Sequence, residues 1–161
     1  MWSSPRASLA HAGIAAAVLL AWPAAAEQGH QHGHQSRAGA PGDPKKPARA
    51  IEVVMREGVG KMLFVPERIE VKRGEQIRFV LRNAGELDHE FFLGTASEIA
   101  AHAREMQKLP DLRHEDPNAR TLAPKAEGAL TWRFTTRGEF EFVCLIPGHP
   151  EAGMKGMIVV K

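Results

Sequence analysis

One cysteine, Cys144, stands in a chain of 161 residues. That scarcity excludes an intramolecular disulfide and leaves four fates for the thiol: a buried small hydrophobe, an intermolecular bridge, a reactive group or a metal ligand. Long apolar runs are lacking as well. Residues 14–22 (IAAAVLLAW) are too few to cross a bilayer and nothing later is long and apolar enough, so no membrane span is expected in the mature chain. Charge of one sign is also missing, with 21 Lys and Arg against 19 Asp and Glu. Without a basic stripe or an aromatic-interleaved patch, a nucleic-acid partner is not expected.

What is present begins with an export signal. Arg6 gives a positive start, residues 14–22 an apolar stretch, and Ala24-Ala25-Ala26 a small-residue cleavage site. Residues 1–26 therefore read as a signal peptide and the periplasm as the destination. An oxidising compartment threatens free thiols, so an exported domain that keeps one has a use for it. Residues 27–50 are rich in Gly, Pro, Gln, His and charge and read as a disordered arm. His30, His32 and His34 alternate within it, either as a solvated polar tract or as a loose auxiliary site for copper or another borderline metal.

From Ile51 the pattern is β. Ile51, Val53 and Met55 alternate until residues 57–60 interrupt them; Ile69 and Val71 follow, then Ile77, Phe79 and Leu81 with Arg78 and Arg82 on the other face. Asn83 to Glu86 make a turn into His89-Glu90-Phe91-Phe92-Leu93. Thr95-Ala-Ser-Glu98 is a capping box for a helix to about Lys108, which Pro110 stops. Residues 111–128 read as a long irregular loop, and strands are expected at 130–136, 139–144 and 157–161. The fold class is all-β: a Greek-key β-sandwich over residues 51–161 with a helical insertion.

The chemistry concentrates in Cys144-Leu-Ile-Pro-Gly-His149-Pro-Glu-Ala-Gly-Met154. A thiolate, an imidazole and a thioether, with four residues in each gap, are three of the donors of a His₂Cys copper site with a weak axial Met. Phe140, Phe142 and Cys144 share a face opposite Glu139 and Glu141, so the thiol points inward. The competing reading is a cysteine that merely fills the core. A fourth donor must come from another strand. His89, in register with Leu87 and Phe91, faces inward, whereas His102 on the helix and His114 beside Glu115-Asp116 read as solvated surface residues. Met157 is a rival axial donor, read more simply as part of its strand. Glu90 reads as a solvent-facing strand residue, with a hydrogen bond to the ligand loop as the alternative.

Asn83-x5-His89-Glu-Phe and Cys144-x4-His149-x4-Met154-x2-Met157-Ile-Val-Val resemble the cupredoxins, the type 1 blue or green copper proteins, with a rusticyanin-like ligand loop. His114-Glu-Asp-Pro-Asn118 and Thr121-Leu-Ala-Pro124 are similar to a periplasmic subgroup associated with copper tolerance. The resemblance implies one mononuclear copper held by His89, Cys144, His149 and Met154. It implies a role in copper tolerance by binding or redox-cycling copper, with electron transfer between periplasmic redox partner proteins as the alternative. Catalysis is not expected. A dinuclear site needs a second loop cysteine, and a route to a trinuclear cluster needs histidines beside Cys144, where Val143 and Leu145 stand.

Overall fold

The computed structural model describes residues 36–108 and 116–161. The signal peptide expected at 1–26, the histidines at 30, 32 and 34, and His114 lie outside the described residues. Among the described residues, ten strands and one helix follow in chain order: β1 Gly39–Pro41, β2 Arg49–Gly58, β3 Lys61–Val65, β4 Arg68–Val71, β5 Gln76–Asn83, β6 His89–Gly94, α1 Ala96–Lys108, β7 Ala119–Leu122, β8 Glu127–Phe134, β9 Gly138–Val143 and β10 Lys155–Val160. They form two five-stranded sheets, β1-β8-β5-β2-β3 and β4-β10-β9-β6-β7. This is the β-sandwich expected from the alternation. Most neighbours are antiparallel, while β2 with β5 and β4 with β10 run parallel.

Strand β5 shows why the layers form. Ile77, Phe79 and Leu81 are fully buried while Arg78 and Arg82 are exposed, so a period of two places one apolar row against the other sheet. Phe91 of β6 stacks on Phe142 of β9 with ring centroids 5.2 Å apart, and Phe64 of β3 meets Phe142 edge-on at 5.0 Å. Each buried ring contributes about 1.5–3 kcal/mol and each aromatic contact about 0.5–1.5 kcal/mol more. Phe91 lies two residues after His89 and Phe142 two before Cys144. The aromatic core is thus a rigid floor under those two side chains.

Helix α1 opens on the expected capping box: Glu98 N donates to Thr95 Oγ1 (3.3 Å), and Thr95 N donates to Glu98 Oε2 (2.6 Å). The helix covers the outer face of the second sheet, where Ile99 and Ala103 pack on Phe92, Ala119, Val143 and Leu145. All six residues of β6 are consequently buried.

That covering overturns two expectations, and strand pairing overturns others. Glu90 does not face solvent, because its face of β6 lies under α1, and His102 is buried on the helix rather than solvated. The irregular loop expected over 111–128 contains β7, which pairs antiparallel with β6 from Phe92↔Ala119 to His89↔Leu122, and the first two residues of β8. The arm expected over 27–50 is structured in its C-terminal part. Gly39–Pro41 pairs with β8, Ala38 sits in the core and Ser36 Oγ donates to Glu98 Oε2 (3.1 Å). The segment's polar composition misled, because main-chain pairing holds it where side-chain hydrophobicity does not. In addition, residues 57–60, read as an interruption, are the end of β2 and the tight turn into β3.

Candidate metal centre

Cys144 follows directly on β9, and the strand's alternation carries its fully buried side chain inward beside Phe142. The chain then closes a compact loop back to β10. His149 N donates to Ile146 O (3.0 Å), Ala152 N to Gly148 O (3.1 Å) and Met154 N to His149 O (3.1 Å). Positive φ at Gly148 (89°) and Gly153 (90°) lets the chain reverse on either side of Pro150, a conformation L side chains resist. Cys144 N donates to Met154 O (3.1 Å), which brings the ends of the loop together. Met62 N of β3 donates to Ala152 O (2.9 Å) and ties the loop to the other sheet.

His89 arrives from the opposite direction, at the start of β6. The turn before it is organised by fully buried Asn83, whose Nδ2 donates to Leu87 O (2.7 Å) and Leu122 O (3.0 Å) while its Oδ1 accepts from Gly85 N (2.9 Å). The spacing Asn83-x5-His89 therefore has a mechanical meaning: the amide shapes the turn that delivers the imidazole.

The structure brings His89, Cys144 and His149 together, with donor atoms within 4.8 Å of one another and all three residues buried. His149 Nδ1 lies 3.3 Å from His89 Nδ1 and 3.3 Å from Cys144 Sγ. Donors about 2.0–2.3 Å from a common ion stand roughly 3.3–3.7 Å apart in tetrahedral or trigonal arrangements, so the cluster is of the right size for one ion. A thiolate with two imidazoles is a soft-to-borderline set that suits copper. Met154 is fully buried at the loop's end. The rival Met157 lies in β10, where its sulfur accepts from Arg68 Nη1 (3.3 Å).

The electrostatics agree with a site for a cation. Burial pushes the Cys144 thiol up to about 12, more than the Glu90 and Ile146 main-chain N–H groups draw it down. A metal must displace that proton, so binding releases it. Burial lowers the pKa of His89 against the opposing pull of Glu57. Burial and the neighbouring His89 lower that of His149. Both rings are thus disposed to be neutral donors near pH 7.

Two carboxylates flank the cluster, Glu57, which sequence reasoning missed, and Glu90, which it read as solvent-facing with a bond to the ligand loop as the alternative. Glu57, at the end of β2, has Oε1 3.1 Å from His89 Nε2 and accepts from Glu86 N and Leu87 N. Glu90 N donates to Cys144 Sγ (3.3 Å), and Glu90 Oε2 accepts from Leu145 N (3.2 Å), which realises the alternative held open for that residue. Behind it, His102 Nε2 lies 3.6 Å from Glu90 Oε1, His102 Nδ1 lies 3.5 Å from Asp116 Oδ2, and the ring stacks on Phe92 at 4.3 Å. Burial pulls the His102 pKa down, but Glu90, with Asp116 and Glu105, outweighs it and holds the value above normal. A signal for Glu90 did exist. An acidic residue inside His-Glu-Phe-Phe-Leu, followed by an amphipathic helix, marks a strand that another element can cover.

Comparison with known proteins now has a geometry to be set against. Residues 51–161 match the profile of the copper binding proteins of the plastocyanin/azurin family. A copper-resistant cuproprotein CopI of Rubrivivax gelatinosus is 46% identical, covering 92% of this chain and 94% of its own. A CopI of Pseudomonas aeruginosa is 36% identical over 80% of this chain and 84% of its own. Among solved structures, auracyanin B superposes with a TM-score of 0.63 at 24% identity, covering 79% of this chain and 99% of its own. An auracyanin of Roseiflexus castenholzii gives 0.58 at 21% identity, covering 72% and 99%. These two likenesses speak to the fold.

Proposed function

Because the chain belongs to the plastocyanin/azurin family of copper-binding proteins, we propose that it is a mononuclear type 1 copper protein of the periplasm that contributes to copper tolerance. The buried cluster of Cys144 with the Nδ1 atoms of His89 and His149 is the observation that carries the copper reading. In it the thiolate and two imidazoles would form the principal donor set, and the Met154 thioether would add a weaker contact. Bound copper supplies a one-electron couple. The chain's own residues exclude water from the thiol, keep both rings neutral and hold the loop closed, so that little rearrangement accompanies a change of copper charge. The similarity to copper-resistant cuproproteins supports tolerance, by binding or redox-cycling copper, over other uses of the site. The export signal read at residues 1–26 supports the location. The residues flanking Cys144, Val143 and Leu145, offer no route to a second catalytic metal, which supports a binding protein rather than an enzyme.

A second reading is electron transfer with a periplasmic partner. It is favoured by the exposed Pro147 and half-buried Pro150 and Ala152 around His149, an apolar rim on which a partner can dock. Growth of a deletion strain on graded copper separates the two. Copper sensitivity supports tolerance; normal growth on copper with a respiratory defect supports the carrier. Cu(II) added to purified protein should give an intense thiolate-to-copper absorption, and its persistence in Cys144→Ser would refute the site.

A further inference from the structure

Glu57 is remote in sequence from the donors it serves. It closes β2 in one sheet, whereas His89 opens β6 in the other. The carboxylate is fixed from two sides. Glu86 N lies 3.2 Å from Oε1 and 3.0 Å from Oε2, Leu87 N donates to Oε1 at 3.0 Å, and the remaining contact of Oε1 is His89 Nε2 at 3.1 Å. Gly85 forms the wall of this seat: a Cβ there would collide with both carboxylate oxygens. The sequence thus spends a glycine on admitting Glu57 to the turn that delivers His89.

We propose that Glu57 is a positioning residue for copper: it fixes His89 in the tautomer that leaves Nδ1 free to ligate, and biases the bound ion toward Cu(II). The proposal rests on the reading of His89 as a donor. A neutral imidazole carries one proton, and with Nε2–H donated to a carboxylate the lone pair falls on Nδ1, the atom that faces His149 Nδ1. Donation to an anion also raises the ring's basicity as a ligand. The negative charge sits one ring-width from the metal position, where it favours a doubly over a singly charged ion. The seat is 29% exposed on the Glu57 side chain, so solvent moderates the charge without removing it.

Two variants divide charge from hydrogen bonding. Glu57→Gln keeps a carbonyl acceptor for Nε2–H and removes the charge. Gly85→Ala leaves Glu57 in the chain but displaces its carboxylate from the seat. In copper-loaded protein both should retain the thiolate-to-copper band while Cu(II) affinity falls about tenfold more than Cu(I) affinity, at the lower end of the range for such outer partners. That ratio corresponds to a reduction potential raised by about 59 mV for a one-electron couple. Equal losses for both ions with an unchanged potential, accompanied by a lower unfolding temperature, would show a purely structural carboxylate and overturn the proposal. A third measurement needs no variant. Nitrogen NMR of the metal-free wild type at pH 8 should find the His89 proton on Nε2, and a proton on Nδ1 would be equally fatal. Absence of the band in the wild type would instead refute the copper site. A coloured wild type whose potential matches both variants would refute Glu57 alone.

Discussion

Glu90 and His102 are each 6% exposed in their side chains, and together they connect the loop after Cys144 to helix α1. Glu90→Gln keeps an oxygen for Leu145 N and removes one of the charges beside His102, with Asp116 still 3.5 Å from the ring; with a hydrogen bond to a charged acceptor weakened, the cost should be about 1.5–3 kcal/mol. His102→Phe keeps a ring on Phe92 but strands a buried carboxylate with Leu145 N as its hydrogen-bond partner. Breaking a buried pair from one side costs about 3–5 kcal/mol, and the lower end applies because the 3.6 Å separation exceeds a tight ion pair. The double variant removes both halves, so its loss should fall short of the sum by about 1–3 kcal/mol. Urea unfolding of metal-free protein measures the cycle. The pKa of His102 is raised above its usual 6.5, so its folded-state pairing contributes fully below that value and fades as pH rises through the higher folded value. Coupling should therefore be larger at pH 6 than at pH 9. Additivity within about 0.5 kcal/mol at pH 6, the tolerance for independent sites, would refute a Glu90–His102 unit.

Asn83→Ala orphans two carbonyls and the Gly85 N–H in the turn before His89; a loss of about 3 kcal/mol by denaturant unfolding and weaker copper retention against a chelator are expected. Arg49 holds the Glu75 carboxylate below its usual range, so that pair's contribution, under about 1 kcal/mol at a half-exposed site, is present at neutral pH and lost as pH falls through the lowered value. The stability gap between wild type and Glu75→Gln should accordingly close in acid. Deleting residues 27–35 should lower the number of copper ions bound per chain in equilibrium dialysis without altering the thiolate-to-copper band, if His30, His32 and His34 form an auxiliary site.

The cluster of His89, Cys144 and His149 was legible in the sequence because two of its members share one loop and the third obeys strand alternation. Cys144 follows Phe140 and Phe142 on one face, and His89 precedes Phe91 on another strand. What alternation could not reveal was the second face of β6. A period of two assigns residues to opposite sides but does not say whether the far side meets water or a helix, and α1 covers it. Glu90 and His102 were misplaced for that one reason. Glu57 was hidden differently: its role depends on how the end of β2 meets a turn almost thirty residues later, a contact between sheets that leaves no local pattern. Strand β1 and strand β7 were missed because such short segments show too little alternation to be read before main-chain pairing recruits them.

The bond from Met62 in β3 to Ala152 and the approach of Glu57 in β2 to His89 both cross from one layer of the sandwich to the other at the copper end. The metal position is therefore a seam as well as a site. His89 on β6 and the Cys144 loop after β9 belong to neighbouring strands of one layer, so a bound ion rivets those two strands together, while the contacts from Met62 and Glu57 fasten the other layer to the riveted pair. Amide hydrogens along β2, β3 and β6 should then exchange more slowly in the loaded protein, although none of those strands carries the thiolate. Release of copper is then a matter of moving the loop away from His89 at the end of one layer, with the two sheets still joined.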